Sequence, residues 1–169
     1  VWACIEASRI SNVKVSPSPA QVRFEVWSAI ISGARGIIYF VHQFEPRFVE
    51  ASLLENPDLL AAVTALNRDV TDFAPVINGE EMSGHLTVSS DAGADRFRVM
   101  HRRAQGADWI FAASWHDKPA TAVFTLSPPQ GGRARVAVVG EARTVQRLGP
   151  RFQDDFPPYS VHIYRLGTL

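Results

Sequence analysis

Apolar residues fill positions 1–5 of the opening stretch "VWACIEAS" without a break, and the run stops at Glu6. A stretch that is apolar on both alternating faces predicts a strand covered on both sides, as in a parallel sheet. In "SPSPAQVRFEVWSAIISGARG" the spacing becomes helical, with Val22, Val26, Ala29, Ile30 and Gly33 recurring three and four apart. Ser18 is a good N-cap, and Pro19 suits the first helical position, where its missing N–H costs nothing. Gly33 or Gly36 supplies the stop. "GIIYFVH", residues 36–42, predicts a second strand that is apolar throughout, and "QFEPRFVEASLLE" reads as a loop. Asn56 and Pro57 then open a second helix with a buried stripe of Leu59, Val63, Leu66, Val70 and Phe73, and Pro75 marks its exit. Strand, helix, strand, helix is the order of two βα units of a parallel sheet.

The pattern changes near "APVINGEEMSG", residues 74–84. Beyond it lie short runs, several of them alternating apolar with polar: "GHLTVSS", "RFRVMHRR", "DWIFAASW", "TAVFTLS", "RARVAVVG", "RTVQRL" and "YSVHIYRL". Turn-rich separators divide them, among them "SDAGAD", "HDKPA", "SPPQGG" and "FPPY". About seven short strands at even spacing predict an antiparallel β-sandwich of Greek-key type. Two parallel strands with two helices are too few to bury both faces of their own sheet. Val1 is therefore expected to lie inside a longer chain that supplies further strands.

Composition narrows the classes. Apolar residues make up 46% of 169 positions, enough for a core. Formal net charge is zero, from 17 basic and 17 acidic residues with no long run of either sign. That removes the electrostatic footprint of a nucleic-acid binder and offers no polybasic patch to a membrane surface. No apolar run reaches the ~18 residues of a membrane-spanning helix. Cys4 is the single cysteine, so no internal disulfide exists, and its apolar setting predicts a small buried hydrophobe rather than a catalytic thiol.

In parallel α/β folds the chemistry gathers where the strands end and the βα loops begin. After the first strand those residues are Glu6, Ala7, Ser8 and Arg9; after the second they are His42, Gln43, Phe44 and Glu45. A carboxylate directly behind a buried strand sits at the sheet rim, where neighbours can fix its rotamer and tune its pKa. Glu6 fits that role, and it equally fits a structural glutamate that pairs with Arg9 and holds the loop. Tyr39 and His42 suit hydrogen bonding to a sugar, His42 also suiting a purely structural histidine. Glu45 and Glu50 read as loop carboxylates in water.

The run "VWACIEAS…PSPAQVRFEVWSAIISGARGIIYFVHQFEP" resembles the end of a TIM-barrel glycoside hydrolase of the retaining clan A type. The resemblance implies that residues 1–6 are the seventh barrel strand, with Glu6 the catalytic nucleophile at its end. Residues 36–42 are then the eighth strand, and the helix from Asn56 closes the barrel. The closing text, "GEARTVQRL…FQDDFPPYSVHIYRL", is similar to the β-sandwich that often follows such barrels. The fold class implied is α/β plus all-β: a partial (β/α)8 barrel over residues 1–78 and an antiparallel β-sandwich accessory domain over residues 79–169. Arg9, Tyr39, His42 and Glu45 are the implied substrate-binding residues. Tyr39, Phe40 and His42 stand where the clan often has a tryptophan.

A retaining glycosidase uses two carboxyl groups about 5–5.5 Å apart. The resemblance places the second one, the acid/base, behind the fourth barrel strand, upstream of Val1, so this chain alone is expected to be inactive. Its implied partners are a carbohydrate substrate and the remaining part of its own barrel, with no cofactor and no metal, and with a secreted or periplasmic parent protein. The competing reading is a non-catalytic carbohydrate-binding or scaffold module, either a barrel that has lost its acid or a sandwich that stacks sugars on Trp109, Trp115 and Tyr159. Against the latter, Trp109 and Trp115 sit in runs with Phe111 that predict core packing.

Overall fold

In the computed structural model, which describes residues 1–128 and 132–167, Trp2–Glu6 forms strand β1 and Gly36–Phe40 forms strand β2. They pair in parallel, with Trp2 opposite Gly36 and Glu6 opposite Phe40. Helix α1, Pro19–Ile31, connects them. Its start is a capping box: Ser18 Oγ accepts from the Gln21 N–H, and the Gln21 side chain accepts from the Ser18 N–H. Gly33 ends it at φ +93°, a left-handed backbone that a side chain would strain. Helix α2, Pro57–Asp72, opens where Asn56 Oδ1 accepts from the Leu59 N–H. The expected loop before it contains a short 3-10 turn, Ser52–Glu55.

Two expectations for this unit, Val1–Phe73, need correction. Strand β1 is not covered on both sides, because the helices take one face of the pair. Ile5 and Ala7 are buried, whereas Trp2 is 67% and Ile38 49% exposed. Cys4 lies on the uncovered face with them and is exposed rather than buried. On that same face the Trp2 ring lies over Gly36, where a Cβ would come within 2.8 Å of it. The buried surface of α1 is also broader than its spacing predicts, taking in Phe24, Trp27, Ser28 and Ile31. In α2, Leu59, Val63 and Leu66 are buried, while Val70 and Phe73 are only half-buried. Trp27 meets Phe73 edge to face at 5.7 Å.

The second unit, Ala74–Leu169, begins with helix α3, Ala74–Ile77, so Pro75 lies inside a new helix. Nine strands follow: β3 Glu80–Glu81, β4 Leu86–Ser90, β5 Phe97–Ala104, β6 Ala107–Ser114, β7 Ala120–Leu126, β8 Arg133–Val138, β9 Arg143–Leu148, β10 Arg151–Phe156 and β11 Val161–Leu166. They form a single sheet in the order β3-β5-β6-β11-β8-β9-β10-β7-β4, with antiparallel neighbours. Three residues of the "SPPQGG" turn, 129–131, lie outside the described residues.

The sheet curls on itself. Phe97 of β5 and Phe156 of β10 stand far apart in the strand order, yet their rings meet at 5.1 Å. Inward positions of both ends share one core, including Ile110, Phe124, Val136, Phe152 and Tyr164. Phe124 stacks on Phe152 at 4.7 Å.

Strands β3 and β10 escape the hydrophobic pattern. The first is two exposed glutamates. The second, "RFQDDF", looks like a turn because of its paired aspartates, but Phe152, Asp154 and Phe156 alternate inward. Asp154 is buried because its charge is met. Both of its oxygens accept from Arg143, each at 2.8 Å, and one also accepts from Tyr164 Oη at 2.9 Å. Arg143 Nε donates to Glu141 at 2.8 Å, and the other Glu141 oxygen meets His162 Nδ1. The hydrogen bonds to Asp154 are the largest reason that Arg143 holds its proton more firmly than usual. Burial, then Asp154's charge, pushes the Tyr164 phenol up.

Removing one member of a buried ion pair leaves the other charge uncompensated, so Asp154→Ala should lower unfolding free energy by about 3 kcal/mol. Tyr164→Phe, which deletes one hydrogen bond to the same carboxylate, should cost about 1 kcal/mol. Urea unfolding of both variants checks the ranking, and equal losses would show that Asp154 is not held as a charge.

Candidate active site

The parallel register brings the two strand ends together, and the loops beyond them are tied. Ser8 Oγ donates to the His42 carbonyl at 2.7 Å. Ile10 bridges to Gln43 in parallel, and its carbonyl accepts from the Phe44 N–H at 2.6 Å. Gln43 in turn bridges to Val49, and Ser52 closes on the Val41 carbonyl at 3.0 Å. Backbone pairing thus continues past β1 and β2, which makes this rim an ordered platform.

Glu6 ends β1 directly opposite Phe40, so the two share the face that the helices leave uncovered. From Phe40 a group of four rings extends along the second loop. His42 meets Phe40 at 5.6 Å and stacks on Phe48 at 6.1 Å, while Phe44 lies 6.3 Å from Phe40 and 5.7 Å from Phe48. Phe44 is 48% and Phe48 60% exposed. His42 Nδ1 faces the Glu50 carbonyl, which only accepts, so Nδ1 carries the hydrogen and Nε2 is the acceptor of the neutral ring. Composition of the loop contained the signal for Phe48, two phenylalanines beyond a strand, but only Phe44 was expected at the rim.

Other expected residues are distributed differently. Tyr39 pairs in register with Ile5 and turns to the helix side, where its Oη donates to Asn67 Oδ1 of α2 at 2.8 Å. Burial there raises its phenol. Strand alternation therefore takes Tyr39 away from Glu6. Arg9 does not ion-pair with Glu6 among the described residues; its Nη1 donates within its own loop to the Val13 carbonyl at 3.5 Å. Glu45 is an exposed loop residue whose N–H donates to the Ile10 carbonyl at 3.4 Å. The charge that does feel Glu6 is Glu25 on α1. Desolvation holds the Glu25 carboxyl above the ordinary carboxylate value, and Glu6's negative charge adds to the rise.

In the second unit Trp109 is buried as expected, with Nε1 donating to the Ala104 carbonyl at 3.2 Å. Trp115 is not: it is 43% exposed, and Tyr159 is 50% exposed. The Tyr159 N–H donates to the carbonyl of His116, next to Trp115, at 3.0 Å.

Neither a family model nor a curated protein matches the sequence. Solved structures do match. An α-amylase from Geobacillus thermoleovorans complexed with acarbose superposes on 99% of this chain and 39% of its own, at 9% identity and a TM-score of 0.65. A noncanonic maltogenic α-amylase from Thermotoga neapolitana superposes on 99% of this chain and 41% of its own, at 9% identity and a TM-score of 0.59. A family 30 subfamily 8 glycoside hydrolase, a xylanase from Clostridium acetobutylicum, gives 99%, 42%, 11% identity and a TM-score of 0.50. The chain spans about two fifths of the length of these structures. The chain shares its fold with part of each of these glycoside hydrolase structures.

An acid whose folded pKa is raised holds its proton more tightly when folded, so its contribution to stability is present at acid pH and fades as pH rises through the shifted range. In Glu6→Gln, Glu25 should titrate at lower pH than in the parent chain, yet still above the ordinary value, because burial remains. Carboxyl carbon NMR resolves this, and an unmoved Glu25 midpoint would show that the two charges do not interact.

Proposed function

We propose that this chain is the part of a retaining, clan A type glycoside hydrolase that carries the last two βα units of the (β/α)8 barrel, with Glu6 as nucleophile, and the β-domain that follows. The single observation that carries the reading is the placement of Glu6: a carboxylate at the C-terminal end of a parallel strand, opposite Phe40 and beside a partly exposed ring group. The fold shared with glycoside hydrolases supports it. The first unit then belongs to the catalytic barrel, and the second is its accessory domain.

The chemistry follows from the groups present. Glu6 in its ionised form attacks the anomeric carbon and forms a glycosyl-enzyme as the glycosidic bond breaks. A carboxylic acid about 5–5.5 Å away protonates the leaving oxygen, then takes a proton from the water that releases the sugar. That second carboxyl belongs to another part of the barrel. The exposed faces of Phe44 and Phe48 stack against the C–H face of a pyranose, and His42 Nε2 accepts from a sugar hydroxyl. Arg9 and Glu45 stand at the rim as further contacts. Tyr39 instead fixes β2 to α2.

A 2-deoxy-2-fluoro glycoside with a good leaving group traps the glycosyl-enzyme, so mass spectrometry of the complete hydrolase should find the adduct on the peptide holding Glu6. Glu6→Gln should lower kcat/KM by ~10³-fold or more, equivalent to about 4 kcal/mol of transition-state stabilisation. The 169 residues alone should show no turnover. An adduct elsewhere, or turnover by the isolated chain, overturns the assignment.

One observation favours a second reading, a sugar-binding β-domain. Trp115 and Tyr159 are both partly exposed and are drawn to the same end of the sheet. On that reading the chain binds a soluble oligosaccharide, the binding survives Glu6→Gln, and calorimetry shows it weakened about tenfold or more in Trp115→Ala, the value of a lost stacking platform.

A further inference from the structure

The inner face of the curled sheet carries more polar groups than its core needs. The register of β5, β6 and β11 puts His101, Arg103, Asp108, Ile110, Tyr164 and Leu166 on one face. At one end this face opens into a cavity of about 650 Å³, within the ~300–1,000 Å³ range of small-molecule sites. Its walls include the apolar Ala134, Val136 and Leu166 and the charged Arg103, Asp108 and Arg147. Arg147 is buried, opposite Ala134 on the same face, and its Nη1 donates to the Gly149 carbonyl. Arg103 grips Asp108 with two hydrogen bonds, at 2.9 and 3.3 Å.

Behind this pair lies His101. Its side chain is only 6% exposed, and Nε2 is 3.8 Å from Asp108 Oδ1, too far for a hydrogen bond. Both ring nitrogens are buried, and among the described residues neither has a hydrogen-bond partner. Leaving such buried groups unmet is destabilising. Burial pulls the His101 pKa down, against the pull of Asp108, so near neutral pH the ring offers one donor and one acceptor. Three arginines (Arg103, Arg147 and the exposed Arg135) and one aspartate leave the cavity with an excess positive charge.

We infer that this end of the second unit is a binding site for a small hydroxy acid, a sugar acid in the first instance, whose carboxylate is held by Arg103 and Arg147. Hydroxyl groups of the ligand donate to Asp108 in the cavity wall and accept from guanidinium N–H groups that the carboxylate leaves free, while His101 sits behind Asp108 and reports on its surroundings. The C–H face of the ligand rests on Val136 and Leu166. Carboxylate recognition by guanidinium and hydroxyl recognition by a mixed donor–acceptor set together select a molecule with both groups. The site uses no residue of the Glu6 rim and stands whether or not the glycosidase reading does.

Titration of the full chain with glucuronate, followed by amide and histidine-ring NMR, tests it. Expected are saturable shifts confined to His101, the β5–β6 turn, and the parts of β8, β9 and β11 that line the cavity. Glucose lacks the carboxylate and acetate lacks the hydroxyls, so each should bind at least about tenfold more weakly, the effect of one charge-assisted hydrogen bond. Arg103 is half-exposed, so Arg103→Gln should leave the melting temperature within a few degrees and weaken glucuronate by a similar factor. Unsaturable or scattered shifts, equal binding of acetate or glucose, or undiminished binding in Arg103→Gln each overturn the inference.

Discussion

In a parallel pair both strands leave the sheet at the same end, and every feature of the candidate active site depends on that constraint. The register that sets Glu6 opposite Phe40 also sets the two following loops side by side. Once adjacent, their backbone groups pair with each other: Ser8 with the His42 carbonyl, Phe44 with the Ile10 carbonyl. An isolated loop would have to lose its conformational entropy for few contacts. Here each loop supplies the other's hydrogen-bond partners, so a carboxylate and a group of rings are held at one rim by backbone pairing rather than by side-chain packing. A one-residue slip in the pairing would invert the faces and send Glu6 to the helix side.

The second unit solves a different problem. A nine-stranded sheet must curl to bury its apolar face, and the curl brings β10 and β11 residues close around one carboxylate. Asp154 accepts from Arg143 and Tyr164, and Arg143 reaches Glu141. Desolvating these charges offsets much of their attraction, so the network adds less net stability than its contact geometry suggests. Its effect is on arrangement: an apolar core of this size tolerates shifts, whereas a bidentate arginine–carboxylate pair is met in one geometry.

Much of this was legible from residues. Ser18 and Pro19 announce α1, Asn56 and Pro57 announce α2, and the alternating runs locate most strands of the second unit. What escaped did so for physical reasons. An aspartate pair reads as a turn until a distant arginine is known to meet it, and Arg143 and Tyr164 are not neighbours of Asp154 in sequence. Cys4 and Tyr39 lie in strands that are apolar throughout, and such strands give no alternation from which to tell one face from the other. Only the pairing register showed that Cys4 shares the Glu6 face while Tyr39 turns to Asn67. At the site itself, Glu6 and His42 were visible as strand-end residues; the ring group was not, because Phe48 reaches His42 only through the Gln43–Val49 bridge.

Structures that share this fold include α-amylases and a xylanase, so the fold alone would not choose between sugars in the proposed hydrolase. Choice has to lie in what the loops add to the rim. Phenyl rings offer flat apolar surface without a hydrogen-bonding edge, so in the proposed hydrolase Phe44 and Phe48 would hold a pyranose by its C–H face and leave its hydroxyls to be read by His42 and by polar groups from other loops. A ring without hydroxyl-specific partners discriminates poorly between epimers, since what it contacts is common to them. Selectivity at this rim then rests on the polar groups, and His42 is the one whose orientation is already fixed, by the Glu50 carbonyl at Nδ1. Its Nε2 can accept a hydroxyl only in the direction that this anchor sets.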